Sequence, residues 1–289
     1  MKDKKSSFSA EVVAIMRIVE SRRTEKERVL YDPYAEKIIR PGFHLLLKSR
    51  LITKIVCWYI EKKGPGFRGG IAARTCYIDD LLNRSLADGI TQFVILGAGC
   101  DARAYRIDAL KKIRVFEVEF PATLDYKISR IKKIFGAVPD HVTYVPVDFV
   151  TETSGECLLK NGYDPTQKTF FIWEGVTMYL TPGAVDETLT FISENSAPGS
   201  AVHFDYMRKA VLDGRCMLPE SQQIRNSASF MGNGEERFTL GMEEDEVHRL
   251  LTEKGLTLVE DLKGDELEKK YSIIPNVHQL FGYVYAVVN

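Results

Sequence analysis

Apolar residues fall along this chain with two spacings, and the change from one to the other marks out its elements. Near the amino end Val12, Met16 and Val19 recur at helical spacing, as do Ile52, Ile55, Val56 and Tyr59. They predict amphipathic helices packed on a core or lying as a lid over a pocket, with a turn at Asp32-Pro33 between them. The glycine-dense stretch 64–70 predicts a mobile loop. A helix follows over 71–86, with Ile78, Leu81 and Leu82 on its inward face and Arg74 sharing that face one turn earlier.

From Phe93 the pattern becomes one of short apolar runs that stop at turn residues. These are 93–96, 114–120, 142–147, Thr169–Trp173, 201–206, 256–260 and 280–288, and each predicts a strand. Thr169–Trp173 is almost purely apolar, as a strand buried on both faces requires. Between the runs, Leu124, Ile128, Ile131 and Phe135 give a crossover helix its buried stripe, leaving Lys132 and Lys133 on the solvated side. Thr181-Pro182 caps and starts another helix, and 243–252 is a helix with acids in its first turn. The stretch 207–241 is an insertion of mixed helical character. Strands alternating with helices predict an α/β protein.

Composition narrows this only modestly. The chain has 289 residues, 45% hydrophobic and 27% charged, enough for one large domain. A net charge of -1 gives no reason to expect nucleic-acid or anionic-membrane binding. Cys57, Cys76, Cys100, Cys157 and Cys216 are widely spaced without a Cys-x-x-Cys pair, which fits a reducing, cytoplasmic setting and neither a disulfide framework nor a metal site. The start, Met1-Lys-Asp-Lys-Lys5, has no apolar core behind it and does not read as a signal peptide. The apolar run 45–60 is broken by Lys48, Arg50 and Lys54, so no membrane span is expected.

The candidate chemistry gathers where the strands end. Gly97-Ala98-Gly99 stops the first strand in a tight turn, which presents unpaired amides and a positive helix end to an anionic or strongly polar ligand. The second strand ends in Glu119, twenty residues after Gly99, where a βαβ cofactor fold receives the acid that accepts ribose hydroxyls. Glu117 is its rival on the same side of the strand; Glu119 is preferred because it lies at the carboxyl end. Asp148-Phe149 ends the third strand, an acid beside an aromatic that suits an adenine, although Asp148 also reads as a helix cap. Glu174 follows a fully apolar strand and is costly there without a partner. Arg74, pointed toward a core, needs a carboxylate or phosphate; a ligand and a protein acid satisfy it equally.

Four motifs in order carry a family resemblance: Leu-Gly-Ala-Gly-Cys-Asp-Ala-Arg-Ala-Tyr-Arg-Ile (96–107), Val-Phe-Glu-Val-Glu-Phe-Pro-Ala-Thr (115–123), Asp148-Phe149 and Trp-Glu-Gly-Val-Thr-Met-Tyr-Leu (173–180). Together they resemble the leucine carboxyl methyltransferase family, in particular its prokaryotic branch with polyketide-pathway O-methyltransferases. The resemblance implies a Rossmann-like class I methyltransferase: a seven-stranded, mostly parallel sheet whose last strand is antiparallel, binding S-adenosylmethionine. It implies a single domain over 1–289, with a helical lid at 1–90, a cofactor-binding core at 91–206, an inserted lid at 207–241 and a closing helix and strands at 242–289. Position by position it gives Arg74 the methionine carboxylate, Gly97, Ala98 and Gly99 the methionyl and ribose portion, Glu119 with Phe120 the ribose, Asp148 and Phe149 the adenine, and Glu174 the ammonium group. Glu119 stands where the family usually has Asp, and Phe149 where it often has Leu.

The implied reaction moves a methyl group to a carboxyl or hydroxyl oxygen of a small-molecule acceptor, leaving S-adenosylhomocysteine. A carboxylate acceptor needs no general base, whereas a hydroxyl does, and no His-acid pair stands out. The lone His203 reads as structural. Tyr179, Tyr206 and Tyr77 are candidates for the acceptor pocket and serve equally as wall packing. Arg208, Lys209 and Arg215 of the insertion are placed to attract an acidic substrate or to stand in solvent. Three alternatives stand beside this reading: a protein C-terminal carboxyl methyltransferase, a nicotinamide-dependent oxidoreductase and a cofactor-binding protein without turnover.

Overall fold

The computed structural model describes residues 8–148, 151–226, 238–274 and 276–289. Phe149 lies outside the described residues. Five helices precede the sheet: α1 (Phe8–Ser21), α2 (Ala35–Ile38), α3 (Pro41–Leu47), α4 (Arg50–Lys63) and α5 (Phe67–Ala87). Strands and helices then alternate: β1 (Gln92–Leu96), α6 (Arg103–Arg106), β2 (Arg114–Glu119), α7 (Pro121–Phe135), β3 (Val142–Pro146), α8 (Ser154–Lys160), β4 (Thr169–Trp173), α9 (Pro182–Glu194) and β5 (Ala201–Met207). The chain continues with α10 (Lys209–Leu212), α11 (Pro219–Asn226), α12 (Glu244–Glu253), β6 (Leu256–Lys263), α13 (Gly264–Lys270) and β7 (Phe281–Val288).

The strands form one seven-stranded sheet in the order β3-β2-β1-β4-β5-β7-β6. Pairs from β3 through β5 are parallel, and β7 runs antiparallel between β5 and β6. A seven-stranded, mostly parallel sheet with the chain's last strand reversed is what the family resemblance implies. The period-2 alternation of the strands divides the core into two layers. Phe93, Ile95, Phe170 and Ile172 face α1 and α5, while Val94, Leu96, Phe171 and Trp173 face α8, α9 and α12. Burial on both faces explains why β1 and β4 read as unbroken apolar runs.

The expected loop at 64–70 is shorter than its glycine content suggests. Only Gly64–Gly66 is non-helical, and Phe67 to Gly70 form the first turn of α5. Gly66 supplies the positive φ of 77° at the helix start. Gly70 serves another purpose: a Cβ there would come within 2.3 Å of the His278 ring. It is a close-packing glycine, a role sequence composition does not separate from loop-forming. The α7 stripe also differs from expectation, because Lys127 is buried in place of Phe135, which is 40% exposed. Pairing with the buried Glu117 at 2.9 Å makes that lysine tolerable.

Candidate functional site

At the carboxyl end of β1 the chain makes the turn that the glycines allow. Gly97 and Gly99 have φ of 73° and 36°, and the Gly97 and Ala98 amides donate to Val118 O at 2.9 and 3.0 Å, tying the turn to β2. Each glycine is also closely covered. A Cβ on Gly97 would lie 2.5 Å from Val176 Cγ2, and one on Gly99 would lie 2.9 Å from Ala10 Cβ of α1. The amino-terminal helix therefore rests directly on the turn. The Glu119 carboxylate accepts from Gly99 N at 2.8 Å and from Phe120 N at 2.7 Å, which orients it along the strand ends. Glu117 and Glu119 have separate environments: the former is fully buried against Lys127, the latter partly open.

Beside this turn lies a buried ion network. Arg74 Nε stands 2.9 Å from Glu174 Oε1, and its Nη1 donates to Asp205 Oδ2 at 2.5 Å. The second Asp205 oxygen accepts from Gly175 N at 2.6 Å. Arg103 contacts Glu174 at 2.7 Å, Asp79 at 2.8 Å and Asp101 more closely still, and Arg106 closes on Asp79 at 2.7 Å. From α1, Arg17 reaches the Cys100 carbonyl at 2.6 Å and Asp32 at 3.3 Å. Burial opposes the charge on Arg74, yet Glu174 and Asp205 outweigh it and hold the guanidinium above its ordinary pKa. Burial likewise opposes ionisation of Glu174, and Arg103, Arg74 and Arg17 override it, keeping the carboxyl well below the usual range. Four guanidiniums thus face five carboxylates, and the surplus negative charge shows at Asp205, which burial pushes up despite Arg74. Arg103 Nη2 is buried without a hydrogen-bond partner among the described residues.

The network brings Arg74 and Glu174 together with residues the sequence reading passed over. Asp101 and Arg103 lie inside the glycine-turn motif, and Asp205 is a lone carboxylate in an otherwise apolar strand, the same signal that singled out Glu174. Arg74 has protein acids on two sides, one of the two outcomes that its sequence position leaves open. Asp148 stands at the end of β3, its amide donating to Glu152 at 3.1 Å.

Two of the three tyrosines are buried. Tyr77 donates to Glu260 and Tyr206 to Asp261, each at 3.1 Å, and burial first, then those carboxylates, pushes both phenols up. Tyr206 follows Asp205 on β5 and so points to the opposite face of the sheet, its ring filling the space where Gly282 lacks a Cβ. Tyr179 is partly exposed, its ring 5.3 Å from that of Phe238. His203 is fully buried against Tyr77 and pushed by burial down to about 3, hence neutral. The insertion's cations are paired: Lys209 with Glu246 at 3.0 Å and Arg215 with Asp213 at 2.6 Å, while Arg208 donates to the Gln279 carbonyl at 3.0 Å. A cluster that sequence does not foreshadow joins Glu244, His248 and Asp261, whose donor atoms all lie within 4.8 Å of one another. Lys263 already holds Glu244 there, competing with any cation.

The family model for leucine carboxyl methyltransferases matches residues 10–193. A relative from Mycobacterium avium (strain 104), provisionally named as an S-adenosyl-L-methionine-dependent methyltransferase, is 32% identical over 228 residues, covering 78% of this chain and 73% of its own length. A similarly named relative, YktD of Bacillus subtilis (strain 168), is 31% identical over 196 residues, covering 68% of this chain and 63% of its own. Two solved structures share the fold nearly end to end. One, given as a methyltransferase from Thermobifida fusca YX, has a TM-score of 0.60 at 15% identity and covers 99% of this chain and 97% of its own; a duf574 family protein from Streptomyces avermitilis has 0.57 at 13%, covering 96% and 97%. The match over the turn, the second strand and the Glu174 motif, together with this strand order, places the chain in the leucine carboxyl methyltransferase family, as an S-adenosylmethionine-dependent methyltransferase.

Proposed function

We propose that this enzyme transfers the methyl group of S-adenosylmethionine to a carboxyl or hydroxyl oxygen of a small-molecule acceptor, releasing S-adenosylhomocysteine. The observation that carries the reading is the meeting, at the strand ends, of a glycine turn clasped by Glu119 with the Arg74–Glu174–Arg103 network. This donor set fits the cofactor. One surplus carboxylate suits a ligand with two positive groups and one negative, and the unpartnered Arg103 Nη2 offers a buried donor. In this reading Glu119 receives the ribose hydroxyls, with Gly97, Ala98, Gly99 and Phe120 beside them. Asp148 and Phe149 take the adenine, Glu174 the ammonium and Arg74 the carboxylate. Arg74 then exchanges one protein acid for the ligand's and keeps the other.

The cofactor supplies an electrophilic methyl carbon, and the chain aligns the acceptor oxygen with it and excludes water. An acceptor that is already ionised suits these surroundings. The Tyr77 and Tyr206 phenols are raised and engaged, and His203 is buried and neutral, so none is poised to remove a proton near neutral pH. Tyr179 is then the tyrosine left to line the acceptor pocket. A cytoplasmic location belongs to the same proposal and rests on the cysteine pattern.

Calorimetric titration with S-adenosylhomocysteine, with NAD as comparison, tests the site. Saturable binding of the nucleoside alone, weakened at least about tenfold (about 1.4 kcal/mol) in Glu119→Ala, supports it. No binding, or preference for NAD, overturns it. Labelled methyl transfer then separates the rest: carboxylic acids as the preferred acceptors support the reading, transfer to peptide C-termini favours the protein methyltransferase, and binding without transfer marks a protein that only holds the cofactor.

A further inference from the structure

Helix α4 covers little of the core. Of its 14 residues only Ile60 is buried. At 3.6 residues per turn, Ile60 and Thr53 mark the side toward the protein, and Leu51, Ile55 and Trp58 fall together on the opposite side. These three are 68%, 54% and 62% exposed, and Leu45 of the neighbouring α3 is 67% exposed. Single exposed apolar residues are ordinary, but a stripe at i, i+4 and i+7 ending in tryptophan marks a surface that meets something.

The charges around the stripe say what it meets. Lys54 and Lys63 fall on its two borders by the same helical rotation, Lys62 stands at its carboxyl-terminal end, 5.0 Å from the Trp58 ring, and Lys48 and Arg50 precede it. All five cations are exposed, and among the described residues none has an ion pair. Glu61, the only acid between Lys48 and Arg68, is engaged by the Gly66 amide. The net charge of -1 for the chain conceals this local excess. Lysine is depleted in the centres of protein interfaces, whereas lysines flanking an apolar helical stripe can lay their stems along it and reach lipid phosphates.

We propose that the outer face of α4, with α3, docks this protein reversibly on an anionic lipid surface. Leu51, Ile55 and Trp58 enter the acyl boundary and the bordering lysines meet the headgroups. The helix lies in the interface plane; among the described residues no helix is long and apolar enough to cross a membrane.

The test is co-sedimentation of the full chain with vesicles of mixed phosphatidylglycerol and phosphatidylcholine, against phosphatidylcholine alone. Affinity for S-adenosylhomocysteine is measured in parallel as a check on the fold. Trp58 and Trp173 are the chain's two tryptophans and Trp173 is buried, so a lipid-dependent blue shift of emission reports Trp58. Wild type is expected to partition onto the anionic vesicles with that shift. The Lys54→Glu/Lys63→Glu pair should weaken partition at least about tenfold without loss of nucleoside affinity. Leu51→Ser/Ile55→Ser should do the same; were that pair to misfold, the charge-reversed pair decides alone. Wild type that stays in the supernatant, binds both vesicles equally, or forms a dimer broken by these substitutions overturns the proposal. Failure of nucleoside binding in wild type would count against the cofactor site and leave the lipid result standing.

Discussion

Glu174 and Asp205 share one guanidinium but are held by different means. Glu174 lies between two arginines, whereas Asp205 depends on Arg74 and one backbone amide, with both of its oxygens used. Asp205→Asn removes the charge and turns an NH2 toward one of two donors, leaving Arg74 short of a partner in a dry site. Breaking a buried pair in this way costs about 3 kcal/mol, and urea unfolding should show that loss. Glu119 is partly open at the end of β2, so Glu119→Ala should change stability by under about 1 kcal/mol while weakening nucleoside binding. Equal stability losses in the two variants would mean that the buried pairing of Arg74 and Asp205 holds the fold no more firmly than the open Glu119 does. The same residues show what a sequence discloses at this scale. An acid after an apolar strand announces that it needs a partner, and Glu174 was legible for that reason. Which partner it takes depends on α5, β1 and β5 meeting in space, and nothing local to Arg74 or Arg103 records that meeting.

At the scale of elements, strands were legible because burial on two faces leaves a continuous apolar run, and α9 because Thr181 accepts from the Ala184 amide at 3.2 Å with Pro182 at the first position. Strand order was not, since hydrogen bonding between β5 and β7 joins segments some eighty residues apart (about the span of a crossover with several elements) and leaves no local periodicity. Antiparallel β7 was therefore read from family likeness alone. Glycine in 64–70 illustrates the opposite failure, where a strong local signal had a non-local cause. In an exposed helix Gly→Ala gains up to about 1 kcal/mol. For Gly70→Ala in α5 the sign should reverse, because the new methyl meets the His278 ring; a loss of about 1–3 kcal/mol is expected from the shift in urea midpoint. A neutral or stabilising result would return this glycine to the role of a loop residue.

For the whole molecule, net charge and residue counts are poor guides because folding segregates what composition averages. Acids and arginines pair inside, while lysines collect around α4. Histidine is segregated too: His203 and His278 are buried, and burial first, with Arg74 second for His278, pushes both pKa values down to about 3. In the unfolded chain each returns to about 6.5, so below that pH the unfolded state binds protons that the folded state refuses. The stability they contribute is complete above the unfolded value and is lost as pH falls toward the folded one, at up to about 1.4 kcal/mol per pH unit for each ring. Carboxylates held low, such as Glu174, act in the same direction, but only once the pH nears their unfolded value of about 4.5. Asp205 and Glu117, pushed up by burial, act in the opposite direction, since the folded state takes up their protons first. The two histidines by themselves lower the unfolding free energy by roughly 2–4 kcal/mol between pH 7 and 5. His203→Phe with His278→Leu removes both titrations. That double variant should lose that share of the acid sensitivity even if it is less stable throughout. A pH dependence left unchanged by the double substitution would place the acid sensitivity elsewhere, in the ion network around Arg74.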